Sequence, residues 1–170
     1  MWVTDGSTIT RVSQATGETA QLPAVTVSGI HGLATNATGS RLFVTTDGGV
    51  VEVSLTDGHT VNALPLYSMD DRTACRSYGI TYDGSTGHLF VGDTSCDVSI
   101  GSDTSPSLAL VRNHGYVGGD SLASDGHGHI LLLSPGRLDS LDLATDHVLP
   151  ITGDVTGNSR YVGGVAVASP

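Results

Sequence analysis

The chain has 170 residues, of which 38% are hydrophobic and only 14% charged, and it carries 23 glycines, a composition that points to one domain with a buried core, built of turns and short strands in place of long helices. Its formal net charge is -10, from 17 acidic and 7 basic residues, and all 7 basic residues are Arg. Such a surface repels phosphate backbones, which argues against nucleic-acid binding, and it attracts cations or basic partners. No segment reaches the ~18 apolar residues of a membrane-spanning helix, so no membrane insertion is expected. The opening Met1-Trp2-Val3-Thr4-Asp5 lacks the charged and apolar regions of a signal peptide and reads as the inside of a strand. Of the acids, 15 are Asp and 2 are Glu, and Asp is a turn and cap residue, so most are expected at loop tips.

In chain order, residues 1–4 are β-prone and Asp5-Gly6-Ser7 is a turn signal. Residues 8–12 alternate, Thr16-Gly17 turns the chain, and 19–22 form another strand before Pro23. The stretch Ile30-His31-Gly32-Leu33-Ala34 opens the first complete set of four strands. Asn36-Ala37-Thr38-Gly39 connects it to Leu42-Phe43-Val44-Thr45, and Asp47-Gly48-Gly49 turns into a third strand with Val51, Val53 and Leu55 on one face. Asp57-Gly58 is a hairpin signal, and 60–64 make the fourth strand, followed by Pro65. No segment shows a sustained 3.6-residue pattern.

The opening stretch recurs as Tyr78-Gly79-Ile80-Thr81, Asp120-Ser121-Leu122-Ala123 and Gly163-Gly164-Val165-Ala166, each a small residue followed by an apolar one, about 42 to 48 residues after the last. Second strands match likewise at 1–5, 42–46, 89–93 and 130–134, and third strands are expected at 8–12, 51–55, 107–111 and 138–143. Leu-Pro closes three fourth strands, Leu22-Pro23, Leu64-Pro65 and Leu149-Pro150; Gly115-Tyr116-Val117 stands in the skipped repeat. Proline is tolerated at a sheet edge, which places these strands outermost. A strand-rich period in the 40s indicates an all-β fold, a β-propeller of about four four-stranded blades in a single domain: 163–170 with 1–24, 29–66, 77–117 and 119–152. The first blade would be closed by pairing of N- and C-terminal strands. Four blades are few, which leaves a small ring, two chains closing an eight-bladed ring as a homodimer, or part of a larger protein.

In a four-stranded meander the fourth-to-first and second-to-third connections share one face, and loops on a rigid scaffold commonly carry function. Two connections there are long, 67–77 and 94–106, and they hold the only cysteines, Cys75 and Cys96. A shared face makes a Cys75–Cys96 disulfide the expected state, with two free thiols as the alternative, and a lone pair without CxxC spacing argues against zinc. A disulfide would imply an exported protein, extracellular or in the cell envelope.

The residues preceding the small one in each repeat, His31, Tyr78, Asp120 and Gly163, would ring the channel mouth. Asp120 is a candidate ligand for a divalent cation such as calcium, or a cap on backbone amides. His31 is a candidate metal ligand or general base, or a hydrogen-bonded structural histidine. Tyr78 would stack on a ligand or fill the channel, and Asp93 and Arg76 join the ligand-binding candidates at the rim. Asp70, Asp71, Asp93, Asp97 and Asp103 gather in or beside the long loops without EF-hand spacing, and solvated loop acids are the plainer reading. Asp125-Gly126-His127-Gly128-His129 has the residues of a metal tract but aligns with other first-to-second connections, so a turn is expected. There is no Gly-x-Ser-x-Gly elbow and no P-loop Lys.

The pieces IHGLATNATGSRLFVTTDGGVVEVSL, YGITYDGSTGHLFVGDT and GGDSLASDGHGHILLLSPGRLDSLDL resemble repeats of the NHL, gluconolactonase-like and Yellow-type propeller superfamily. Gluconolactonase-like enzymes hold a divalent metal in the channel with Glu, Asn and Asp side chains. The resemblance places Asp120 at the position of their Asp, although Ser121 replaces the usual Gly. His31 and Tyr78 stand where that pattern favours Asn, and no Glu stands at Gly163, so the metal set is incomplete. Three functions follow as expectations: a binding module presenting an acidic loop face to a protein or small ligand, a metal-dependent hydrolase of lactones or esters using Asp120 and His31, and a structural repeat region of a larger exported protein.

Overall fold

A computed structural model describes residues 1–22, 27, 29–66, 77–93, 97–101, 107–115, 121–134 and 137–152. These carry fifteen strands. β1 (Trp2–Thr4), β2 (Ile9–Val12) and β3 (Thr19–Gln21) form a three-stranded sheet. β4 (Gly32–Thr35), β5 (Leu42–Thr46), β6 (Gly49–Val53) and β7 (Thr60–Pro65) form the second sheet. β8 (Ser77–Asp83), β9 (His88–Asp93), β10 (Asp97–Gly101) and β11 (Ala109–Gly115) form the third. β12 (Ser121–Ser124), β13 (His129–Ser134), β14 (Arg137–Asp142) and β15 (His147–Thr152) form the fourth. Every sheet is an antiparallel meander in sequence order, the arrangement of a propeller blade.

The repeat is visible in the register. Trp2 faces Arg11, Phe43 faces Glu52, Phe90 faces Ser99 and Leu131 faces Ser140, the same pairing four times. The inner pairs agree too: Ala34 with Phe43, Thr81 with Phe90, Ala123 with Leu131. Outer strands contain the prolines as expected: Pro65 lies in β7 and Pro150 in β15, each on an edge whose missing N–H breaks no ladder on its far side.

One expectation is corrected. The third strand of the third sheet is Asp97–Gly101, and 107–111 lies at the start of the fourth strand, Ala109–Gly115. The stretch 94–106 is therefore not one long loop. Val98 is opposite Val91 and Ile100 opposite Leu89, so the backbone of 97–101 takes the ladder beside β9 that 107–111 was expected to fill. The connection between the second and third strands of this sheet is 94–96. The proposed closing strand of the first sheet lies in 153–170, outside the described residues.

Successive strand residues point to opposite sides, so each central strand feeds two interfaces. In β5, Leu42 and Val44 join Ile9, Leu22, Ile30 and Val53 against the first sheet. Phe43 points the other way and packs with Val50, Leu66, Ile80, Leu89 and Val91 against the third. Phe90 in turn meets Leu122, Ile130, Leu132 and Leu141 of the fourth. Burial on both sides explains why β5 reads as a continuous apolar run instead of alternating. Each fully buried Phe or Leu contributes about 1.5–3 kcal/mol.

The inner strands β4, β8 and β12 lie against one another. A Cβ at Gly79 would come within 2.7 Å of Leu122 Cγ, so the small residue of this repeat lets neighbouring inner strands approach. Their beginnings consequently share one end of the molecule, where the candidate site lies.

Candidate functional site at the inner-strand mouth

Gly32 of β4 is opposite Thr45 of β5, and the His31 amide donates to the Thr45 carbonyl at 3.0 Å. This pairing sets His31 beside the β5–β6 turn. His31 Nε2 lies 2.8 Å from Asp47 Oδ1, with the ring side chain 26% exposed and the carboxylate side chain 75% exposed. The contact ties the start of β4 to the β5–β6 turn.

The turn is built for this contact. Thr46 Oγ1 accepts from the Gly48 amide at 3.2 Å and donates to the Gly49 carbonyl at 3.3 Å. Gly29 has φ +68, and a Cβ there would stand 2.6 Å from Asp47 Oδ2. Glycine at 29 thus gives the left-handed backbone and leaves room for the carboxylate. The Ile30 amide donates to the Gly6 carbonyl at 3.1 Å, joining the segment to the β1–β2 turn. In that turn Asp5 Oδ1 accepts from the Ser7 and Thr8 amides at 2.9 and 2.7 Å and from Ser7 Oγ at 3.0 Å. The backbone bonds of Ser7 and Thr8 hold its carboxyl well below the usual carboxylate range.

Asp47 was not among the residues singled out from sequence. The signal was its placement: Asp47-Gly48-Gly49 is a second-to-third turn and so shares a face with the start of an inner strand. Of the expected site residues, Tyr78 falls at the irregularity between Ser77 and Gly79 in the β8–β9 ladder, and Asp93 closes β9 opposite Ser77. Arg76, Asp120, Cys75 and Cys96 lie outside the described residues, as do Asp70, Asp71 and Asp103. The expected His31–Asp120 cation set therefore has one described member, and the cysteine pairing stands as an expectation. Among the described residues no group of three or more His, Cys, Asp or Glu side chains is arranged to hold a metal ion.

The opposite end carries structural polar groups. Asp125 Oδ1 accepts from the His127 and His129 amides at 2.7 and 3.1 Å, and Oδ2 lies 2.9 Å from His129 Nδ1, so the His-rich tract is a capped turn. Asp83, wholly buried, accepts from Ser85, Thr86, Ser124 and Gly128 and ties the third sheet to the fourth. A groove of about 810 Å³ opens between the first two sheets, lined by Trp2, Arg11, Leu22, Leu33, Leu42 and Leu55. His31 and Asp47 are not among its lining residues, and its chemistry is mixed.

Fold and register define a β-propeller. The comparisons with known proteins support that class. No family model matches the chain, and no curated protein matches it. Among solved structures, the chain resembles one in a nidogen/laminin complex, with 16% identity and a TM-score of 0.66, over 95% of this chain and 60% of that one. It is also similar to the dihydro-heme d1 dehydrogenase NirN solved with DHE, at 12% identity and TM-score 0.68, over 94% of this chain and 35% of that one. A third is the β-propeller domain of Cps50 (Swd1) from Myceliophteria thermophila, at 16% identity and TM-score 0.58, over 86% of this chain and 50% of that one. The chain spans roughly one third to three fifths of these structures. At such identities the resemblance establishes the fold alone.

Proposed function

We propose that this chain is a propeller binding module whose working surface is the face around His31 and Asp47, and that it engages a cationic protein segment. The observation that carries the reading is the 2.8 Å His31–Asp47 pair, a solvent-reached imidazole and carboxylate held by two different connections at the start of an inner strand. An excess of 17 acids over 7 Arg supports a basic partner, which such a field also steers to the surface. Asp5 and Asp47 contribute to this face from the described turns, and Asp93 and Asp120 extend it in the sequence.

The test is fluorescence anisotropy of a labelled Lys/Arg-rich peptide against the full chain, at low and at 0.5 M salt. Saturable binding that weakens with salt, and that Asp47→Asn reduces about 3- to 10-fold without changing stability, supports the reading. Peptide affinity unchanged by both salt and Asp47→Asn sinks it.

A metal-dependent hydrolase of lactones or esters is the second reading. It is favoured by the same pair, because a carboxylate that orients one ring nitrogen raises the ligand or base strength of the other. Divalent-cation-stimulated lactone hydrolysis lost in His31→Ala would favour it over the binding module.

A further inference from the structure

On the side of each sheet that faces the next one, the cross-strand registers align one row of residues. It is Trp2, Arg11 and Ala20 in the first sheet, Phe43, Glu52 and Asn62 in the second, and Phe90 and Arg112 in the third. In the second and third sheets the row is closed. Phe43 and Phe90 are 0% and 1% exposed, and each row carries a guanidinium paired with a carboxylate. Arg41, 5.1 Å over the Phe43 ring, reaches both Glu52 oxygens at 2.7 Å. Arg112 pairs with Asp146, which the fourth sheet supplies.

The first sheet has the aromatic ring and the guanidinium without the carboxylate. Among the described arginines, Arg41, Arg112 and Arg137 each pair with an acid, and Arg11 does not. Trp2 is only half-buried. Where the other junctions are filled, this one opens into the cleft of about 810 Å³. Leu33, Leu42 and Leu55 of the second sheet line it on the far side, Gln14 and Gln21 line it at exposed positions, and Arg11 is the only charged side chain in the lining.

We infer that this cleft binds a small organic carboxylate with an apolar body. The carboxylate takes the place that Glu52 and Asp146 fill in the other two junctions and accepts charge-assisted hydrogen bonds from the Arg11 guanidinium. The apolar body lies between the Trp2 indole and the leucines, where it leaves water. A cavity of this size suits a small molecule. The overall charge of -10 does not select an anion, but the lining does: a guanidinium without an acid beside it, over an apolar floor. The site is separate from the His31–Asp47 surface, which contributes no lining residue, and stands whatever that surface binds.

Trp2 is the only tryptophan of the chain, so its fluorescence reads the cleft directly. The test is titration of the 170-residue chain with phenylbutyrate and, separately, with octanoate. A saturable change in indole emission with half-saturation at or below about 1 mM is expected for at least one of them. Phenylbutyramide, which keeps the body and lacks the charge, should bind roughly 10-fold more weakly than phenylbutyrate. Arg11→Gln should weaken the carboxylate about 10-fold and leave the amide unchanged. Ala20→Phe, at an exposed strand position that lines the cleft, fills it and should abolish binding with the circular-dichroism spectrum and thermal midpoint retained. Failure of both carboxylates to saturate overturns the inference, as does undiminished carboxylate binding by Arg11→Gln. Equal losses for carboxylate and amide in Arg11→Gln also overturn it, because the arginine would then act by packing alone.

Discussion

Replacing Asp83 with Ala tests how the sheets are held to one another. Its carboxylate accepts Ser85 Oγ at 2.7 Å, the Thr86 amide at 2.9 Å and Thr86 Oγ1 at 2.8 Å from its own turn. From the fourth sheet come Ser124 Oγ at 2.8 Å and the Gly128 amide at 3.3 Å. Taking about 0.5 kcal/mol for each local bond, whose donors water can reach, and about 1–1.5 kcal/mol for each bond between sheets, the loss is about 4 kcal/mol. For a chain of this size that lowers Tm by about 8–16 °C. Burial by itself raises the Asp83 carboxyl, but bonds from Ser85, Ser124 and Thr86 outweigh it and hold the group below its ordinary value. A carboxyl depressed in the folded state stabilises above its unfolded value, about 3.9, and that contribution is lost as pH falls through the folded value. Urea denaturation followed by circular dichroism at pH 7 and below pH 4 reads both effects. The reasoning is refuted if Asp83→Ala costs less than about 1 kcal/mol, or if Asp83→Asn leaves the acid limb of the stability profile as steep as in the wild type.

Two further substitutions probe the same packing. Glu52 is buried between Arg41, which reaches both its oxygens at 2.7 Å, and Asn62 at 2.6 Å. Hydrogen bonding from Arg41 is the main reason its carboxyl is depressed, so Glu52→Ala, which strands the Arg41 guanidinium, should cost about 3 kcal/mol by urea denaturation, and an Arg41→Leu/Glu52→Leu double variant less. Gly79→Ala should cost about 1–3 kcal/mol because its Cβ meets Leu122, while Gly84→Ala, with open space around it, stays within about 0.5 kcal/mol; equal thermal midpoints for the two would remove close inner-strand approach as the reason for the small residue.

Much of the blade pattern is legible in the chain because its causes are local. Asp-Gly and Gly-Gly pairs set turns, alternation sets strands, and Leu-Pro marks outer edges. Where local signals compete, legibility fails. Both 97–101 and 107–111 alternate, and only the pairing of Val98 and Ile100 with Val91 and Leu89 decides which strand lies beside β9. The position of His31 at the start of an inner strand was legible from its place in the repeat. Asp47 was not, because its own tripeptide says only that the chain turns there.

The sequence by itself determined the strand periodicity, the repeat and the orientation of each blade, since turn chemistry and side-chain alternation act over a few residues. The tertiary structure decided which polar groups meet across distances in the chain. Ser124 reaches Asp83 over 41 residues and Asp47 reaches His31 over 16. It also decided which apolar faces are covered. The same position is sealed in Val44 and open in Val3, because burial depends on the neighbouring sheet and not on the residue itself.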